Sequence, residues 1–172
     1  MIGTILEDNS LTPFLASTCS ENGISANIIN GIENVDYIIL KPDQFYNSLG
    51  IYPTPPSTDC LIVIKCDDSF KVVLVELKNI NSPSHFNKNN IREKFRTVLN
   101  DFMSNKFRNI FYDDYDIELS MYFVCDPYGS KGGSTRTSSL LSEIFINLRP
   151  LEFANKKYII RAVNPDLTVA GC

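Results

Sequence analysis

Between Asp59 and Lys78 the chain runs D-CLIVIKC-DDSF-KVVLVELK, two short runs of Val, Ile and Leu separated by a polar cluster. Two such runs joined by a turn signal predict a β-hairpin, and no other stretch constrains the fold as much. With the turn centred on Asp67 and Asp68, Cys66 faces Ser69, Leu61 faces Leu74, and Asp59 faces Glu76. Two carboxylates then stand side by side at the open end of the hairpin. Opposed side chains there have Cβ atoms roughly 4.5–5.5 Å apart, and like charges so placed destabilise the pair unless something compensates them. A divalent cation would do so.

Lys78 lies two residues beyond Glu76, so strand alternation puts it on the same face, beside the acids and in line with Val72 and Leu74. A strand that is otherwise apolar turns polar on one side at one end. The plainer alternative is a surface pair of Glu76 and Lys78, which would contribute little. The opposition of Asp59 and Glu76 also depends on an even turn, because an odd loop would send Asp59 to the other face.

The 172 residues, 44% hydrophobic, 11% aromatic and 21% charged, suit one globular domain (1–172) with its own core and argue against disorder. The first residues, MIGTILEDNS, do not form a basic segment followed by an apolar run, and no apolar run approaches a membrane span. The expectation is a cytoplasmic protein with no membrane partner. Five cysteines (Cys19, Cys60, Cys66, Cys125, Cys172) include no Cys-x-x-Cys, and His85 is the sole histidine, which disfavours zinc. Reduced core thiols are expected. A net charge of −4 argues against coating nucleic acid by bulk electrostatics but leaves room for a local basic surface.

Along the chain, Ile24, Ile28, Ile29 and Ile32 predict a helix capped at Ser20 and stopped at Gly31, with a shorter one from Thr12-Pro13. Val35–Lys41 reads as a strand, 43–49 as one or two helical turns ending at Gly50, and IYPTPPST as an extended connector to Asp59. After the hairpin, a cap at Asn89 or Asn90 opens a helix with Ile91, Phe95, Val98, Leu99, Phe102 and Phe107 on one face. Lys88, Arg92 and Arg96 recur every four residues on another face. With Lys94, Lys106 and Arg108 set against Glu93 and Asp101, this region is basic within an acidic chain, either as a solvated face or as a surface for phosphate contact.

Ile117–Cys125 reads as a central strand, and PYGSKGGSTRTSS as a loop bearing Lys131 and Arg136. That loop lacks the G-x-x-x-x-G-K-[ST] order of a nucleotide-binding loop. A short helix over Leu140–Leu148 and a last strand over Tyr158–Val163 complete an α/β sandwich with a mixed sheet.

The combination of Pro56-Ser57-Thr58-Asp59, sixteen intervening residues, Glu76-Leu77-Lys78 at the end of an apolar strand, and then a helix and a buried strand resembles the PD-(D/E)XK nuclease superfamily. The resemblance covers about residues 20–126 and implies a three-layer sandwich with an αβββαβ restriction-endonuclease-like core. The sequence departs from the pattern in having two residues between proline and aspartate. Carried over position by position, the resemblance implies that Asp59, Glu76 and the Leu77 carbonyl hold Mg²⁺, with Mn²⁺ as substitute. Glu21 is a possible further ligand from the first helix. Lys78 would orient or deprotonate the attacking water. The contacts expected with nucleic acid, DNA being favoured, are the stripe residues Lys88, Arg92 and Arg96 and the loop residues Lys131 and Arg136, read from their own positions in the chain. Hard oxygens suit Mg²⁺, which lowers the pKa of water and neutralises phosphate charge. The expected activity is a metal-dependent endonuclease, as a homodimer or in a larger assembly. The alternatives are a catalytically silent nucleic-acid-binding or assembly module of the same fold and a plain protein-interaction domain.

Overall fold

The computed structural model describes residues 1–29, 36–80, 87–112, 115–127, 148–165 and 167–172. The chain opens with α1 (Ile2–Glu7), a 3-10 turn (Thr12–Phe14), β1 (Leu15–Ala16), β2 (Cys19–Glu21), β3 (Ile24–Ile28), β4 (Tyr37–Leu40) and α2 (Pro42–Ser48). The hairpin is β5 (Cys60–Lys65) and β6 (Ser69–Ile80). A helical unit follows, made of α3 (Lys88–Thr97), a π-helical stretch (Val98–Lys106) and α4 (Arg108–Phe111). Then come β7 (Asp116–Pro127), β8 (Leu151–Phe153), β9 (Lys156–Tyr158), β10 (Ile160–Val163) and β11 (Leu167–Val169).

The protein is mixed α/β, with a six-stranded sheet in the order β1-β4-β5-β6-β7-β10. Neighbours from β1 to β6 are antiparallel, while β6, β7 and β10 run parallel. A parallel pair cannot be joined by a tight turn, and the helical unit supplies the crossover. The hairpin has the register expected from its even turn: Leu61 pairs with Leu74, Cys60 with Val75, and the Cys66 N–H donates to the Ser69 carbonyl.

Alternation along the central strands sorts side chains to two faces. Leu61, Val63, Val72 and Leu74 meet the helices through Ile91, Phe95, Val98, Phe102 and the α2 residues Phe45 and Tyr46. Ile62, Ile64, Val73 and Val75 meet a three-stranded sheet, β11-β3-β2, through Cys19, Ile24, Ala26 and Val169. The helical face holds a cluster of aromatic rings in which Phe45 is edge-on to both Phe102 and Phe107. Tyr46 anchors this layer by donating to Asp101 Oδ2 at 2.7 Å. The apolar series closes with a five-residue step from Phe102 to Phe107, and the Phe107 N–H accordingly donates to the Phe102 carbonyl, the i→i+5 bond of a π-helix.

Several expectations need correction. The helix expected after Ser20 is the β2–β3 hairpin. Asn22 and Gly23 both adopt left-handed φ, 49° and 80°, as an Asn-Gly type I′ turn requires, and Ile24, Ala26 and Ile28 follow strand rather than helical spacing. Glu21 therefore sits on a strand. Cys19 is bonded to Cys60 and Cys66 to Cys172, with Cα separations of 6.0 and 5.7 Å, so four of the expected thiols are disulfides; Cys125 is buried. The α3 cap is Asn87, whose Oδ1 accepts the N–H groups of Asn89 and Asn90 at 3.1 Å. The last strand divides at Ile159, with Tyr158 pairing Leu151 and Ile160 pairing Met121. The Lys131 and Arg136 loop and nearly all of the predicted helix at 140–148 lie outside the described residues. No helix among the described residues is long and apolar enough to cross a membrane.

Candidate active site

Asp59 stands one residue before β5, one step beyond the last rung of the ladder, and faces Glu76 of β6. This end of the hairpin borders a cavity of about 470 Å³ lined by Asp59, Glu76, Leu77, Lys78, Lys94 and Glu21, with Asn22 and Asn79. The β5–β6 end supplies the opposed acids, α3 supplies Lys94, and the end of β2 supplies Glu21. The Cys19–Cys60 bond ties β2 to the residue next to Asp59, which holds the Glu21 strand against this end of the sheet.

Both acids are buried, Asp59 to 6% and Glu76 to 1% exposure. Burial raises the Asp59 carboxyl to about 6 against the pull of the Leu77 N–H and Lys94, with Glu21 and Asp43 adding negative field. Burial, and then the charge of Asp59, raises Glu76 to about 8, opposed by Lys94 and, less strongly, by Lys78. Asp59 Oδ2 accepts the Leu77 N–H at 2.6 Å. In an antiparallel ladder a residue directs N–H and C=O to the same side, so the Leu77 carbonyl also faces the Asp59 edge. Glu76 Oε1 accepts from Lys94 Nζ at 2.5 Å, whereas Oε2 is buried with no hydrogen-bond partner among the described residues.

Lys78 is half-buried and lines the cavity, as strand alternation required. The ion pair to Glu76 nevertheless comes from Lys94. The sequence reading missed Lys94, although a signal was present: it is three residues from Ile91 and four from Val98, both buried, so it belongs to the sheet-facing side of α3. Burial acts to lower the Lys94 pKa, but Glu76 and Asp59 together raise it above the ordinary value. Asp43 was also missed. It lies in the first turn of α2, its carboxyl raised by burial and its Oδ1 buried without a hydrogen-bond partner among the described residues.

The predicted basic stripe is partly engaged. Lys88 is exposed, Arg92 Nε donates to the Arg149 carbonyl at 3.3 Å, and Arg96 pairs with Glu93. Among the described residues no three His, Cys, Asp or Glu side chains gather closely enough to enclose an ion by themselves, and Glu21 is exposed on the rim. The donor set nevertheless fits a hard divalent cation: two opposed carboxylates, one with a bare buried oxygen, and a carbonyl directed to the same edge. A larger hollow of about 570 Å³ beside β1, β4 and the small sheet is lined by hydroxyl, amide and apolar groups, with no charged side chain among the described residues that line it. It has no acid–base chemistry to compare with the strand end. The chain matches no protein-family model, no curated protein and no solved structure.

Proposed function

We propose that this chain is a metal-dependent nuclease hydrolysing phosphodiester bonds of nucleic acid, with DNA as the favoured substrate. The observation that carries the reading is the buried, directly opposed Asp59–Glu76 pair at the open end of a sheet, with Lys78 lining the same cavity. Two carboxyls raised by burial, that of Glu76 also by the charge of Asp59, are costly to the fold, and such sites are where chemistry is found. The order of β4, the β5–β6 hairpin, a crossover helix and a parallel β7 supports the resemblance to the PD-(D/E)XK superfamily and its αβββαβ core.

In this reading Asp59, Glu76 and the Leu77 carbonyl hold Mg²⁺, with Glu21 available from the rim. The bound ion supplies an acidified water and neutralises charge on the phosphate. Asp59 is held in place by the Leu77 N–H, which leaves Oδ1 for the cation. Lys78, on the cavity wall, would orient the attacking water and steady the negative charge that develops on it. Lys88 and Arg92 on α3, with Arg96 beside them, contact phosphates flanking the scissile bond. Cutting both strands of a duplex would take two copies of such a one-site domain. A silent nucleic-acid-binding or assembly module is the second reading, favoured by one observation: Glu76 already has a cation, Lys94.

Incubation of the purified chain with labelled duplex, branched and single-stranded DNA and RNA in Mg²⁺, Mn²⁺ or EDTA tests the proposal. Cleavage is expected with either metal and none with EDTA. No cleavage of any substrate, together with a melting temperature indifferent to Mn²⁺, would falsify it.

A further inference from the structure

We infer that Lys94 is a built-in counter-ion for the carboxylate pair, occupying Glu76 in the metal-free protein and giving that carboxylate up when a divalent cation binds. The inference rests on reading Asp59 and Glu76 as metal-binding acids and adds how the site is kept before it is loaded.

Four observations carry it. Lys94 Nζ touches Glu76 Oε1 at 2.5 Å, and the two side chains are only 24% and 2% exposed, so the contact is largely shielded from water. Lys94 occupies a sheet-facing position of α3 beside Phe95, between the buried Ile91 and Val98, where packing alone would favour an apolar residue. Its ammonium satisfies the site only in part: Glu76 Oε2 has no hydrogen-bond partner among the described residues, and Asp59 Oδ2 is taken by a main-chain N–H. A single ammonium thus compensates one oxygen of a pair that a divalent cation could bridge. Lys78, the other lysine on the cavity, makes no ion pair with either acid among the described residues and is not bound in the same way.

Charge then dictates the exchange. Two ionised carboxylates carry two negative charges, which one lysine leaves half-compensated and one divalent cation balances fully. A divalent cation and the Lys94 ammonium cannot share Glu76 at contact distance without strong repulsion, since like charges that close and that little exposed to water are poorly screened from one another. Lys94 therefore behaves as a competitor of the metal, and the protein exchanges one cation for another instead of exposing bare carboxylates. Lys94 is in this sense a positioning residue for Glu76. A stabilising ion pair alone would be a weak explanation, because buried pairs repay their desolvation poorly.

The test is Mn²⁺ binding to the full chain without nucleic acid, followed by calorimetry in mildly alkaline buffer, where protons compete least. Lys94→Met and Lys94→Gln are expected to bind Mn²⁺ about tenfold more tightly than the parent, and Lys94→Arg no more tightly than the parent. The melting temperature lost by Lys94→Met without metal is expected to be recovered at saturating Mn²⁺. If Lys94→Met does not fold, Lys94→Gln, which can still donate to Glu76, carries the comparison. In the parent itself, the Lys94 Nζ resonance is expected to leave its ion-paired position as Mg²⁺ is added. A parent that binds Mn²⁺ while the neutral variants bind no more tightly, or a resonance that saturating Mg²⁺ leaves unmoved, overturns the inference and leaves the metal reading intact. A parent that binds no divalent cation overturns both.

Discussion

The two ends of the β5–β6 hairpin carry the same residue types to opposite effect. At the turn, Asp67 and Asp68 are adjacent and exposed, and water solvates both. At the open end, Asp59 and Glu76 are opposed and buried under α3 and the β2–β3 hairpin, and both carboxyls hold protons far above their usual range. Like charges in water only repel one another. Withdrawn from water and given a few fixed partners, they become a site whose charge can be set by a proton, a lysine or a metal ion.

The largest expected contrast is in catalysis. Asp59→Ala and Glu76→Ala each remove a charged ligand and are expected to lower single-turnover cleavage by about 10³-fold or more, with Mn²⁺ binding lost in parallel. Lys78→Ala is expected to cost about 10²-fold in cleavage while the metal still binds. Asp67→Asn and Asp68→Asn should leave both quantities within about twofold of the parent. Equal losses at the two ends of the hairpin would break the comparison.

Next in size is the dependence of stability on pH. The Glu76 carboxyl rises from 4.5 to about 8 on folding and that of Asp59 from 3.8 to about 6. Between those limits the folded state holds protons that the unfolded chain has released, so metal-free stability falls as pH rises from about 4 to about 8 and then levels off. Thermal melts in EDTA should show the fall, on the order of 5 °C or more for a domain of this size. Asp59→Asn should flatten it, Asp67→Asn should not, and saturating Mn²⁺ should oppose it. A melting temperature that climbs across this interval in EDTA would count against the buried pair.

The smallest effect asks whether the open end faces nucleic acid at all. Each of Lys88→Ala and Arg92→Ala should reduce the log affinity versus log salt slope by about 1 and weaken all sequences alike. Arg96→Ala should do less, because Glu93 already holds that guanidinium. If the triple variant keeps the parent's slope and affinity, the stripe is a solvated face.

The hairpin could be read from the chain because its turn is even and its two runs alternate. Register then follows from local rules, and it fixed Asp59, Glu76 and Lys78 on one face. The contact of Lys94 with Glu76 depends on how α3 docks on the sheet. Its place beside Ile91 and Val98 was visible, but its partner was not. Local rules also compete, as residues 20–28 show: Ile24 and Ile28 fit a helical spacing, yet with Ala26 they fit strand alternation equally well, and Asn22-Gly23 decides for the hairpin. The disulfides escaped for a different reason, since Cys19 meets Cys60 only after the small sheet folds across the large one.

The hydrogen bond from Leu77 to Asp59 puts a side chain where a strand would ordinarily find a neighbouring main-chain carbonyl. The rung at the mouth of the cavity is therefore closed by a group that can also be drawn elsewhere. Whenever Asp59 turns away, the Leu77 amide proton loses its shelter and opens to exchange with solvent. The fraying of β6 at this end is thereby coupled to what the site holds, and the local breathing of the sheet becomes a property of its occupancy.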